Sequence, residues 1–115
     1  LNNLRILDLK FNLIQLVEED GLIDLIKLDE LYLSTYKMLQ IKKRLFLGQH
    51  NLKKLALEFC FIESIELQGF DYLTNLNELN LFSNKIKIIN KMTFSEMNSL
   101  TKLYLRYNLL ELIED

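Results

Sequence analysis

The chain carries one histidine, His50, and one cysteine, Cys60. A nucleophile with its base, or a metal with its ligands, needs several such side chains gathered at one place. No Ser/His/Asp grouping, glycine-rich phosphate loop or metal-ligand spacing supplies them. No catalytic residue, metal site or cofactor is therefore expected; Cys60 reads as a structural thiol and His50 as a solvated loop residue. Two other sets of residues could do binding chemistry. Lys42-Lys43-Arg44 is a basic run of the kind that contacts phosphate or heparin. Phe11, Tyr32, Phe59, Phe82, Tyr104 and Tyr107, with Arg106, are of the types that dominate binding hot spots. Whether any of them meet depends on the elements that carry them.

Those elements are legible in one stretch, Leu76 to Ile86, which reads L-x-x-L-x-L-x-x-N-x-I. Leu79 and Leu81 share one face of a period-two segment, and Asn84 follows where a bent backbone needs a side-chain partner. The frame recurs with leading residues Leu4, Leu28, Leu52, Leu76 and Leu100, without insertion or deletion. The corner slot holds Asn12, Tyr36, Cys60, Asn84 and Asn108. The pattern resembles the leucine-rich repeat family, whose signature is L-x-x-L-x-L-x-x-[N/C]-x-L at periods of roughly 20–29 residues. That resemblance implies an α/β leucine-rich repeat solenoid. It would coil right-handed, with a parallel concave β-sheet and an irregular or short-helical convex side.

The return half of each repeat is patterned too. Val17, Ile41, Ile65, Ile89 and Ile113 form one column, Leu22, Phe46, Phe70 and Phe94 another, and Leu25, Gln49, Leu73 and Met97 a third. All are expected to point inward and close the core against the strand leucines. Phe at that position, with a 24-residue period and no Pro, resembles the extracellular animal type more than the plant type. Repeat 2 is the irregular one, with Tyr36 at the corner and Gln49 at an inward slot, and reads as the least stable coil. Two readings stand for Tyr36: a looser coil in which its hydroxyl finds a partner, or a kink that faces a ligand.

The chain, 1–115, reads as a single repeat region. Half of its residues are hydrophobic and 26% charged, a globular balance, and the absence of Pro leaves no linker. A net charge of −2 gives no bulk field for nucleic acid, and no apolar run is long enough to span a membrane. Leu1 already sits in repeat register, so no signal peptide is read at the start. Neither end carries a polar or cysteine-rich cap, so an uncapped fragment of a longer protein is expected. Self-association through further repeats stays open.

Residues 24 apart become lateral neighbours at about 4.8 Å on adjacent strands. Ile6, Glu30, Lys54, Glu78 and Lys102 then form a column of alternating charge, and Arg5, Asp29 and Lys53 begin a second. These read as structural ladders rather than a ligand site. Glu18-Glu19-Asp20 falls beside Lys42-Lys43-Arg44, so mutual neutralisation competes with a phosphate contact. Three more columns face outward: Asp8, Tyr32, Ala56, Asn80, Tyr104; Lys10, Ser34, Glu58, Phe82, Arg106; and Phe11, Thr35, Phe59, Ser83, Tyr107. Their aromatic residues and Arg106 are the candidate partner-binding set. The alternative is that the rings pack on one another or lie beneath flanking repeats.

Two functions follow as expectations. One is a recognition module that binds a protein or other macromolecule through its concave face. The resemblance places such a module at the cell surface or outside the cell, in a receptor in the manner of Toll-like receptors. The lack of an Asn-x-Ser/Thr sequon weighs mildly against a heavily glycosylated ectodomain. The other is a cytoplasmic repeat scaffold, or the repeat region of a larger enzyme such as a kinase or ubiquitin ligase.

Overall fold

A computed structural model describes residues 3–14 and 17–114, with the side chains of the last strand left out. In chain order the strands are β1 (Ile6–Leu9), β2 (Glu30–Leu33), β3 (Gln40–Ile41), β4 (Lys54–Ala56) and β5 (Ser64–Ile65), then β6 (Glu78–Asn80), β7 (Ile88–Asn90), β8 (Lys102–Tyr104) and β9 (Leu112–Glu114). Every leucine pair of the repeat frame lies in or beside one of β1, β2, β4, β6 and β8. These five form one parallel sheet in that order. Leu7 pairs with Leu31, Leu31 with Leu55, Leu55 with Leu79 and Leu79 with Leu103. The pairing register is the 24-residue shift itself, and the result is a right-handed leucine-rich repeat solenoid.

Leucines from each strand point into the coil, where Leu31, Leu33, Leu55, Leu57, Leu79 and Leu81 are fully buried. The opposite wall is an aromatic spine. Phe46 stacks on Phe70 at 6.1 Å and Phe70 on Phe94 at 6.0 Å between ring centroids, with interplanar angles of 24° and 13°. One phenyl ring in each of repeats 2, 3 and 4 thus fills the space that a return arm without a helix leaves open. Leu1 lies outside the described residues, as does the side chain of Ile113.

The return arms hold no helix among the described residues. Each folds through turns in which an N–H reaches the carbonyl three residues back, as Leu73 does to Phe70 at 3.0 Å and Met97 to Phe94 at 3.1 Å. With so few residues per arm, turns close the coil where a helix could not pay its nucleation cost. The arms also carry short strands that the repeat pattern does not announce: β3 pairs with β5, and β7 with β9, both parallel.

Asn84 shows why the corner slot favours Asn. Its Nδ2 donates to the carbonyls of Leu57 and Leu81 at 2.9 and 3.0 Å. Its Oδ1 accepts from the backbone N–H of Cys60 and Ile62 at 3.0 and 3.1 Å. One side chain thereby satisfies backbone groups of two coils. Asn108 repeats the arrangement one coil later, bonding Leu81, Leu105 and Ile86.

Repeat 2 departs from this rule by one residue. Tyr36 is turned outward, 53% exposed, while its neighbour Thr35 goes inside at 3%. The tyrosine ring is too large for a slot that elsewhere holds Asn or Cys. Among the described residues the hydroxyl of Tyr36 does not find the protein partner that one reading of the sequence gave it. At the other irregular position Gln49 is buried as its column requires, and its Nε2 donates to the Leu22 carbonyl at 2.7 Å. Among the described residues its Oε1 and the Thr35 hydroxyl are buried without hydrogen-bond partners, both in the coil read from sequence as the weakest.

Candidate recognition surface

The turn that leaves the concave sheet positions most of the candidate residues. Phe11, Phe59, Ser83 and Tyr107 occupy the same place in four coils and share φ values of 58, 56, 54 and 60°. Bulky side chains rarely take this left-handed conformation unless the surrounding structure imposes it. Here the sheet ladder imposes it: Phe59 N–H donates to the Phe82 carbonyl at 3.3 Å and Ser83 N–H to the Arg106 carbonyl at 3.0 Å. Asp8 and Asn80 brace the turn, their Oδ1 atoms accepting the N–H of Lys10 and Phe82 at 3.0 and 2.9 Å. Thr35, being β-branched, does not adopt this conformation, which accounts for the local slip in repeat 2.

Along this exit edge the rings meet. Phe82 lies edge-on to Phe59 at 5.8 Å and to Tyr107 at 5.2 Å, with interplanar angles of 79° and 84°. The Arg106 guanidinium sits 5.2 Å from the Tyr107 ring centroid. Phe11, 82% exposed, lies at the far end of the same edge and shares a depression of about 160 Å³ with Phe59, Phe61 and Tyr36. Tyr107 is 63% exposed. Phe11, Phe59, Phe82, Arg106 and Tyr107 therefore form one edge surface, placed at the rim of the concave sheet rather than on its strands.

Tyr32 and Tyr104 are separate from it. Both stand on strands, β2 and β8. The Tyr32 hydroxyl donates to the Glu30 carboxylate, and Lys10 and Lys54 lie over its ring at 5.1 and 5.4 Å. The bond to Glu30, aided by burial, holds the Tyr32 phenol above its ordinary pKa, against the opposing pull of Lys54. Tyr32 is thus committed to intramolecular partners, whereas Tyr104 remains exposed.

The charged columns pair in part. Lys54 meets Glu78 at 3.3 Å, and that contact, followed by the Tyr32 hydroxyl, raises the Lys54 pKa. Arg5 meets Asp29 at 3.5 Å, and Arg44 meets Asp20 at 3.0 Å. The last pair neutralises one residue of the basic run, so the run and the acidic triplet are neighbours as their spacing requires. Cys60 is fully buried, its Sγ 3.5 Å from the carbonyls of Leu33 and Glu58. Burial pushes its thiol up to about 11, leaving it protonated at neutral pH. His50 is exposed beside Tyr72, with ring centroids 6.0 Å apart. Among the described residues no cluster of His, Cys, Asp or Glu could hold a metal ion.

Phe61 belongs to this surface and was missed in sequence. It is exposed, and Lys85 lies 5.0 Å from its ring centroid. The signal was available, since the same 24-residue shift aligns Leu13, Lys37, Phe61, Lys85 and Leu109.

Coils stacked on one parallel sheet, with an Asn-braced corner and an uncovered rim, define a repeat solenoid of the recognition type. The leucine rich repeat family model matches residues 50–110, and the chain belongs to that family. No curated protein matches the chain in sequence. Among solved structures the chain is similar to one in the Toll–Spatzle complex, a molecular hub in Drosophila development and innate immunity. The TM-score is 0.82 at 20% identity over 92% of this chain. The matched region spans 14% of that chain's length. At this identity the likeness shows the fold.

Proposed function

We propose that the chain is the recognition segment of a cell-surface or secreted leucine-rich repeat receptor, and that it binds a protein partner through its aromatic rim. The observation that carries this reading is the continuous edge-to-face run Phe59–Phe82–Tyr107 with Arg106 beside it. Aromatic rings at fixed geometry offer contact area at low entropic cost, and Arg adds donors at their margin. Phe11 extends the contact along the rim, Tyr104 offers a separate exposed ring on β8, and Tyr32 supports the sheet from within its own hydrogen bond. The likeness to a chain in the Toll–Spatzle complex supports a protein as the partner.

The test compares the wild-type chain with Phe59→Asp and Tyr107→Asp. Proteins that the wild type captures from extracellular fluid are purified and measured individually by calorimetry. Each substitution is expected to weaken true partners by about 2 kcal/mol, the size of a hot spot, with circular dichroism unchanged. Asp tolerates the left-handed conformation better than Phe or Tyr does, so neither change strains the backbone. Equal binding by wild type and both variants would falsify the rim as the site.

A further inference from the structure

On the return side of the coils the hydrogen-bond ladder, among the described residues, breaks between repeats 3 and 4. Glu63 N–H donates to the Leu39 carbonyl at 2.7 Å, joining repeats 2 and 3, and Glu111 N–H donates to the Lys87 carbonyl at 2.8 Å, joining repeats 4 and 5. The equivalent bond between repeats 3 and 4, from Lys87 N–H to the Glu63 carbonyl, is absent among the described residues. The convex strands accordingly fall into two sheets, β3–β5 and β7–β9, with β5 and β7 facing each other unpaired.

The gap is bounded at both ends. Lys85 N–H holds the Ile62 carbonyl at 2.8 Å just before it, and Phe70 stacks on Phe94 beyond it. Between these clamps lies a cleft of about 690 Å³, walled by β5 on one side and β7 on the other. That volume falls within the range of ordinary ligand sites, about 300–1,000 Å³. Its lining includes the apolar side chains of Leu67, Ile88 and Leu109, all exposed, and the ammonium groups of Lys85 and Lys87 opposite a single carboxylate, Glu63.

An unpaired strand edge is a template for another backbone, and here two such edges confront one another. We propose that this cleft is a second binding site, which takes a short extended segment of a protein partner carrying apolar residues at alternate positions and an acidic residue toward Lys85 and Lys87. The segment's backbone completes the ladder that β5 and β7 leave open, and its alternate side chains meet Leu67, Ile88 and Leu109. The excess of Lys over Glu on the walls selects its charge. The site adjoins the aromatic rim only where Lys85 lies over the Phe61 ring, and it shares no residue with the Phe59–Phe82–Tyr107 run.

The experiment uses the full chain and three capped synthetic peptides of alternating residues: Val/Glu, Val/Lys, and Val/Glu with N-methylated backbone amides. Binding is followed by amide chemical shifts and by hydrogen exchange. The Val/Glu peptide is expected to shift the amides of Ser64, Ile65 and Ile88 and to slow exchange at Lys87. N-methylation and the Val/Lys sequence should each weaken binding roughly tenfold or more. Lys87→Glu, an exposed change that leaves the coil intact, should reverse the preference between Val/Glu and Val/Lys, whereas Phe59→Asp should alter neither. Equal binding of the N-methylated peptide, shifts confined to the aromatic rim, or no binding of the Val/Glu peptide would each overturn the proposal.

Discussion

Cys60 stands where the corner slot otherwise calls for Asn, and its surroundings show what the substitution costs. Its Sγ meets the Leu33 carbonyl at 3.5 Å, the weak counterpart of the 2.9 Å bond from Asn84 to Leu57. Cys60→Asn is expected to restore that bond and raise stability by about 1 kcal/mol, the usual net value of a hydrogen bond; urea denaturation measures it, and a lower midpoint would oppose the corner role. The thiol also gives a pH signature. Its pKa is 9.0 when unperturbed and rises to about 11 through burial, opposed by the Thr35 backbone. The folded state therefore holds the proton more tightly than the unfolded chain. The associated stability is complete below pH 9.0, declines as pH climbs, and is gone once pH passes about 11. Relative to Cys60→Asn, the wild type is expected to lose roughly 3 kcal/mol across that interval. Parallel stability-versus-pH curves for the two proteins would contradict this. Residue identities alone made Cys60 a structural thiol; the direction of its pKa required knowing what buries it.

The corner, as an element, gathers backbone groups of two coils on one side chain. Removing the Asn84 amide would leave the N–H groups of Cys60 and Ile62 and the carbonyl of Leu57 without their partners. Asn84→Ala is expected to cost about 3 kcal/mol or more, since each buried orphan costs about 1–3 kcal/mol. Equilibrium denaturation checks the magnitude, and a loss below about 1 kcal/mol would show that water reaches the corner. The identity of this element was legible from the frame, because Asn84 and Asn108 sit at a fixed distance from their leucines. The conformation of its neighbours was not. Phe59 and Tyr107 share a column with Thr35, yet only the first two take the left-handed turn that lifts them to the rim. A column gives the register of its residues; the backbone sign at each depends on side-chain branching and on the ladder beyond it. The short strands β3, β5, β7 and β9 escaped for a related reason, since their two or three residues lack the L-x-L frame that marks the equally short β4, β6 and β8.

For the whole molecule the 24-residue period determines both the sheet register and the distribution of stability. Each coil is held by its two neighbours, so a leucine with a coil on either side is buried more fully than one at the end of the stack. Leu55 on β4 is fully buried, while its equivalent Leu103 on β8 is 38% exposed. The two occupy the same slot, carry the same side chain and pair in the same sheet. Their difference isolates the contribution of stacking from that of the coil itself. Leu55→Ala is expected to cost about 3–5 kcal/mol, in the range for fully buried leucines, and Leu103→Ala about half of that or less. Urea unfolding of the two variants beside the wild type measures both, with unchanged m-values required for the comparison to hold. Equal losses at the two sites would mean that each coil carries its own stability, and the nearest-neighbour account of this solenoid would fail.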